Sequence, residues 1–246
     1  MATGGLGIDP MHQFKITPII PIHIGNIDAS FTNSSLWMVI AIGLITLFTT
    51  ASMSGRALVP GRMQSLAEMS YEFVANMVRD NVGMEGMRYF PLVFTIFMFV
   101  LFANLLGLVP GSFTVTSHII ITFALAFMIF LGVTVIGFIH HGLGFLKFFV
   151  PAGIPVVLVP LLVVIEVISY LTRPISLSVR LFANMLAGHT MLKVFAGFVV
   201  MMGVFGILPL LFMVALTGLE LLVAFLQAYV FAILTCIYLS DAIHMH

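Results

Sequence analysis

Two charged side chains interrupt nearly unbroken apolar runs near the C-terminus: Arg180 within SLSVRLFANMLAGH and Glu220 within LTGLELLVAFLQAYVF. No opposite charge stands near either one in sequence. A charge at the centre of a membrane helix costs roughly 2.5 to 3.5 kcal/mol on insertion scales, so such residues face a protein partner or a water-filled path. Ion movement is the first reading. On an ideal helix Glu166, Arg173 and Arg180 recur every seven residues, with Ser176 and Asn184 four residues either side of Arg180, so all five share one stripe. His189, nine residues beyond Arg180, falls about half a turn round. Glu220 and Gln227 share a face of the last helix with small Ala224 between them, and His189 with Glu220 is the pairing expected across the two stretches. A guanidinium keeps its proton. Arg180 therefore needs a counter-charge, and Glu166 and Glu220 are the acids this deep in the chain.

Other polar residues have plainer readings. Arg173 beside Pro174, and Lys193, are read as side chains that snorkel toward an interface. Asn104 is read as hydrogen-bond glue between helices, and Asn184 fits that role as well as a place on the path. His140 and His141 end an apolar run with no third ligand nearby, which fits an interface better than a metal site. There is no phosphate-cradling glycine loop and no nucleophile motif, so no cofactor is expected and no hydrolysis by this chain alone.

The elements that must hold these residues are membrane helices. Of 246 residues 61% are hydrophobic and only 7% charged, with mean hydropathy +1.23, whereas about a quarter of residues in soluble domains carry charge. The expected class is an all-α integral membrane protein. A net charge of zero excludes a large nucleic-acid surface, and the single Cys236, in an apolar stretch, is read as packing. Residues 1–35, punctuated by Pro10, Pro18 and Pro21, read as an irregular outer segment without the basic, apolar and small-residue pattern of a secretory signal. A first span at 36–54 carries Trp37 near its start, where an interfacial aromatic belongs.

Residues 61–82 place Leu66, Met69, Phe73, Val74 and Met77 on one face and Ser65, Glu68, Glu72 and Arg79 on the other, the pattern of an interfacial amphipathic helix. A helical hairpin is expected over 89–140, turning at the PGSF of Pro110 to Phe113. Arg56, Arg62, Arg79 and Arg88 all lie between the first two spans, so the positive-inside rule puts that loop and Lys147 inside and the N-terminus outside.

In the remaining segment, 150–241, two apolar stretches, about 156–196 and 205–240, would as helices of about 35 to 40 residues be more than ~50 Å long, against a hydrocarbon core of about 30 Å. Either Pro174 and Pro209 break them, or both lie tilted as a long hairpin. The tilted hairpin is preferred, because no polar loop marks further crossings.

The stretches IEVISYLTRPISLSVRLFANMLAGH and LELLVAFLQAYVFAILTCIYLSDAIH closely resemble subunit a of the F-type ATP synthases, and RMQSLAEMSYEFV and FANLLGLVPGSF look like the same family. The resemblance implies a proton-conducting stator, non-catalytic on its own, with a long tilted hairpin against a ring of c subunits. It implies that Arg180 is the family's essential arginine. Asn184, His189, Glu220 and Gln227 would line the path from outside, and Glu166 with Ser176 would lie toward the inner exit.

The partners implied are the c-subunit ring, peripheral-stalk b-type subunits, the F1 sector and lipid, in a bacterial inner membrane or alternatively a mitochondrial one. In a common bacterial pattern Glu follows AG and His opens the last motif. Here His189 and Glu220 are exchanged, as in mitochondrial members and what look like their alphaproteobacterial relatives. The rival readings are a self-contained cation/proton antiporter, which the lack of an internal inverted repeat disfavours, and a structural scaffold, which the unpaired Arg180 disfavours.

Overall fold

The computed structural model describes residues 15–21, 23–24, 27–28, 30–54, 60–109, 111–149 and 158–244. Pro10, Arg56, Pro110 and Pro155 lie outside the described residues. Six α-helices dominate: α1 Asn33–Met53, α2 Arg62–Val82, α3 Phe90–Gly107, α4 Ile119–His141, α5 Val159–Met202 and α6 Ile207–His244. Two short antiparallel pairings precede them, β1 (Pro18–Ile20) with β4 (Phe31–Thr32) and β2 (His23–Ile24) with β3 (Ile27–Asp28). Among the described residues, five helical stretches are long and apolar enough to cross a membrane, those containing α1, α3, α4, α5 and α6. The protein is an all-α integral membrane protein, its long apolar helices each satisfying their backbone hydrogen bonds internally, as a span in lipid must.

The described residues fall into two compact units, the first drawn from 1–46, 99–118 and 181–227, the second from 47–98, 119–180 and 228–246. In the first, Asn33 anchors the start of α1: its side chain accepts from the Thr17 amide at 3.2 Å and donates to the Lys15 carbonyl at 3.1 Å. Residues 15–17 are thereby tied to the helix.

In the second, α2 buries Val74, Ala75, Met77, Val78 and Val82, while Leu66, Met69 and Phe73 stay exposed. The amphipathic face thus resolves into two stripes, one packed within the unit and one open. Phe73 meets Phe97 and Tyr229, each with ring centroids 5.7 Å apart.

Neither proline breaks the long helices. Pro174 is buried inside α5, which continues for 44 residues, and Pro209 lies in the first turn of α6, where its missing N–H is one that no helical bond needs. At 1.5 Å per residue α5 is ~66 Å long and α6 ~57 Å.

Candidate proton-transfer site

Within the first unit, the end of α5 and the start of α6 run antiparallel around a 3-10 turn at Gly203–Gly206. Gly203 has φ +55°, a left-handed conformation that glycine adopts without strain. A Cβ on Gly206 would stand 2.5 Å from the Val199 carbonyl oxygen, so the close return of the chain requires glycine there too. Outward from the turn, Phe195 meets Phe212 at 4.7 Å between ring centroids, His189 meets Glu220, and the Asn184 amide donates to Gln227 Oε1 at 3.0 Å. His189 ends a buried stripe with Leu181 and Met185, at the four-residue interval that keeps one helix face turned inward.

The α3 end is fixed against this hairpin by a buried polar relay. Thr116 donates to Asn104 Oδ1 at 2.9 Å, and Asn104 Nδ2 donates to the Ala224 carbonyl at 3.3 Å. Asn104 is thus the glue its sequence position suggested. Holding α3 there brings the Gly107 carbonyl to 2.9 Å from His189 Nε2, while Nδ1 of the same ring meets Glu220 Oε1.

These two contacts determine the proton count. A carbonyl only accepts, so Nε2 must carry a hydrogen. The contact between Nδ1 and Oε1 then contains one proton, giving either imidazolium with carboxylate or imidazole with carboxylic acid. Both forms are neutral overall, and loss of that proton leaves a single negative charge. The site holds one labile proton, positioned by a second, fixed one. Both residues are buried, His189 at 6% exposure and Glu220 at 5%.

Cavities approach the pair from both residues. One of ≈ 340 Å³ is bordered by Gly107, Ser112, His189 and Lys193. Another of ≈ 170 Å³ is bordered by Asn184, Gly188 and Glu220. A third of ≈ 470 Å³, bordered by Lys15, Asn33 and Trp37, shares Gly111, Ser112 and Lys193 with the first. Glu220 Oε2 and Gln227 Nε2 are buried and have no hydrogen-bond partner among the described residues. A polar atom in that state is costly unless something transient satisfies it. Gly188 makes room for the carboxyl, since a Cβ there would lie 2.8 Å from Glu220 Oε1.

The second unit holds the other expected residues. Arg180 is exposed and makes no ion pair among the described residues; Tyr238 lies within its electrostatic reach. Ser176 is exposed and Glu166 half-exposed. The structure gives neither of them a side-chain partner among the described residues. Arg173 departs from the snorkelling reading: it donates to Asp241 Oδ2 at 3.0 Å and sits over the rings of Tyr170 and Tyr238, 5.1 and 4.8 Å from their centroids. His141 Nε2 lies 2.9 Å from the Ile243 carbonyl, and no group of three metal-ligating side chains occurs among the described residues. Asp241 was missed in sequence, although it is the one carboxylate after Glu220. The Gly107 carbonyl, a backbone acceptor, leaves no residue-type signal at all.

Fold and site together define a multi-pass helical membrane protein with a buried imidazole–carboxyl pair reached by cavities. The chain is 62% identical to ATP synthase subunit a of Parvibaculum lavamentivorans, over 98% of this chain and 95% of that one. It is 64% identical to ATP synthase subunit a of Chelativorans sp., over 97% and 99%, and 60% identical to that of Pelagibacter ubique, over 98% and 100%. The family model for the ATP synthase A chain matches residues 35–240, and the chain belongs to that family.

Proposed function

We propose that this chain is the proton-conducting stator subunit of a rotary F-type ATP synthase, working in a bacterial inner membrane against a ring of c subunits. It catalyses no bond-making itself and couples proton movement to ATP synthesis through the peripheral stalk and F1 sector. Protons reach the His189–Glu220 pair from the outer side, past the cavity that Asn184 borders with Gln227 hydrogen-bonded behind it, and load a carboxylate on the rotor. After nearly a full rotation they leave through a second path near Glu166 and Ser176. Arg180 stands between the paths, where its permanent charge attracts a deprotonated rotor carboxylate and opposes a migrating proton. Helices as long as α5 and α6 lie steeply tilted in a core of about 30 Å.

The observation that carries this reading is Arg180, exposed and unpaired among the described residues of a membrane protein. A guanidinium cannot discharge itself by losing its proton, so its counter-charge comes from another molecule. A rotor carboxylate supplies one. The test is Arg180→Ala in the assembled complex in vesicles: ATP synthesis and ATP-driven pumping are lost, and passive proton leak rises until a reagent blocks the rotor carboxylate. Coupled pumping like that of the wild type would overturn the reading, and high leak without any rotor would replace it with a self-contained transporter.

A further inference from the structure

The helix that supplies the Gly107 carbonyl ends on a ladder with one rung missing. Past the last turn of α3 the Leu108 amide donates to the Leu105 carbonyl at 3.2 Å and the Val109 amide to the Leu106 carbonyl at 3.1 Å, each a step of three residues. The next rung would run from residue 110 to the Gly107 carbonyl. Residue 110 is proline, which has no backbone N–H in any conformation. The last carbonyls of a helix have no helical partner and are satisfied by such three-residue bonds, by side chains or by water. Denied its rung, the Gly107 oxygen faces two side chains, with His189 Nε2 at 2.9 Å and the Ser112 hydroxyl at 3.2 Å.

We propose that Pro110 is a positioning residue for proton transfer: by withholding an amide hydrogen it reserves the Gly107 carbonyl for His189, and so decides which ring nitrogen keeps the fixed proton. The proposal rests on reading the His189–Glu220 pair as the proton intake. Its physical basis is competition for one acceptor. A carbonyl oxygen offers two lone pairs, and here two donors already face them. The Ser112 hydroxyl has a single hydrogen and two nearer carbonyls, Leu106 at 2.5 Å and Val109 at 2.7 Å, so it makes a weak claim on Gly107. A backbone amide at 110 would make a strong one. Closing that rung tightens the last helical turn and draws the oxygen toward its own chain, away from a partner on α5. The ring then loses the contact that keeps a hydrogen on Nε2, and the proton shared with Glu220 is no longer set apart from a fixed one. A proline ring also stiffens a turn, so the test must separate the missing hydrogen from the ring.

The experiment uses the whole synthase in lipid vesicles and Pro110→Ala, which restores the N–H. Magnetic resonance with carbonyl-13C glycine and nitrogen-15 labelling reads the contact of Gly107 with His189 Nε2, assigned by its loss in His189→Gln, and the hydrogen exchange of the new amide. Proton flux is measured on the same vesicles. In Pro110→Ala the contact and the flux are both expected to fall about fivefold, the weight of one net hydrogen bond, while the new amide is protected from exchange. A contact or a flux equal to that of the wild type overturns the proposal. So does a lost contact beside a freely exchanging amide, because the ring and not the hydrogen would then be what matters. If Pro110→Ala fails to assemble, N-methylalanine is placed at 110 by cell-free synthesis, giving neither ring nor N–H. Assembly with the wild-type contact supports the proposal, and any other result overturns it. Glu220→Gln separates the two levels: if it still makes ATP, the reading of the pair as intake falls, whereas an inactive Glu220→Gln beside an unchanged Gly107 contact in Pro110→Ala sinks the role of the proline alone.

Discussion

Among the described residues, two acid–base contacts join α5 to α6, and they are built oppositely. His189 and Glu220, in the first unit, are buried at 6% and 5% exposure and bordered by cavities. Arg173 and Asp241, in the second, are partly open, with side chains 18% and 35% exposed, and the arginine is sandwiched by Tyr170 and Tyr238. In the first contact both partners are side chains that can carry or release a proton. In the second the guanidinium never releases one. A titratable pair with a shared proton and one unsatisfied oxygen is fit to pass charge on; a permanently charged arginine clamped by aromatic faces is fit to hold two helices together. Two ion pairs on the same helices thus differ in kind because of which base each one uses.

That contrast can be broken by substitution. Glu220→Gln keeps size and hydrogen bonding but removes the titrating group, and proton flux in vesicles is expected to fall by about a hundredfold or more with assembly intact. Unaltered flux would take the residue off the path. His189→Ala is expected to be milder, about tenfold, because water can fill the space beside a carboxyl that still titrates. Gly188→Ala leaves both groups present and forces the carboxyl from its place, since the new Cβ would sit 2.8 Å from Oε1. A loss of a few-fold in flux is expected, and less again with a smaller shift of the carboxyl. Arg173→Ala is expected to leave flux within about twofold while lowering thermal stability by about 1 to 2 kcal/mol, a figure already reduced for the pair's partial exposure. Flux as damaged as in Glu220→Gln would erase the distinction between the two contacts.

The membrane class and the partnership of His189 with Glu220 were legible because charge inside an apolar run is rare and helical spacing separates faces. Composition alone required membrane helices, and the half-turn between Arg180 and His189 agrees with one being exposed and the other buried. Other features were hidden for physical reasons. The Gly107 carbonyl is backbone, and its aim depends on Asn104, Thr116 and Ala224, which meet only after folding. Asp241 lies 68 residues from Arg173, so the pair left no local pattern and the arginine read as a lone snorkelling cation. On α2 the periodicity showed one apolar face, whereas packing uses a rotated stripe through Val74, Val78 and Val82 and leaves Leu66 and Met69 exposed. Pro174 read as a possible break, yet α5 runs through it.

The central claim is that His189 keeps one proton fixed on Nε2, by donation to the Gly107 carbonyl, while the labile proton lies between Nδ1 and Glu220. Nitrogen-15 magnetic resonance of histidine-labelled complex in lipid measures this directly, with the His189 signals assigned by their loss in His189→Gln. Across a pH titration Nε2 is predicted to stay protonated throughout, with all change at Nδ1, and that change is predicted to be altered in Glu220→Gln. Loss of the Nε2 proton while Nδ1 stays unchanged would contradict the account.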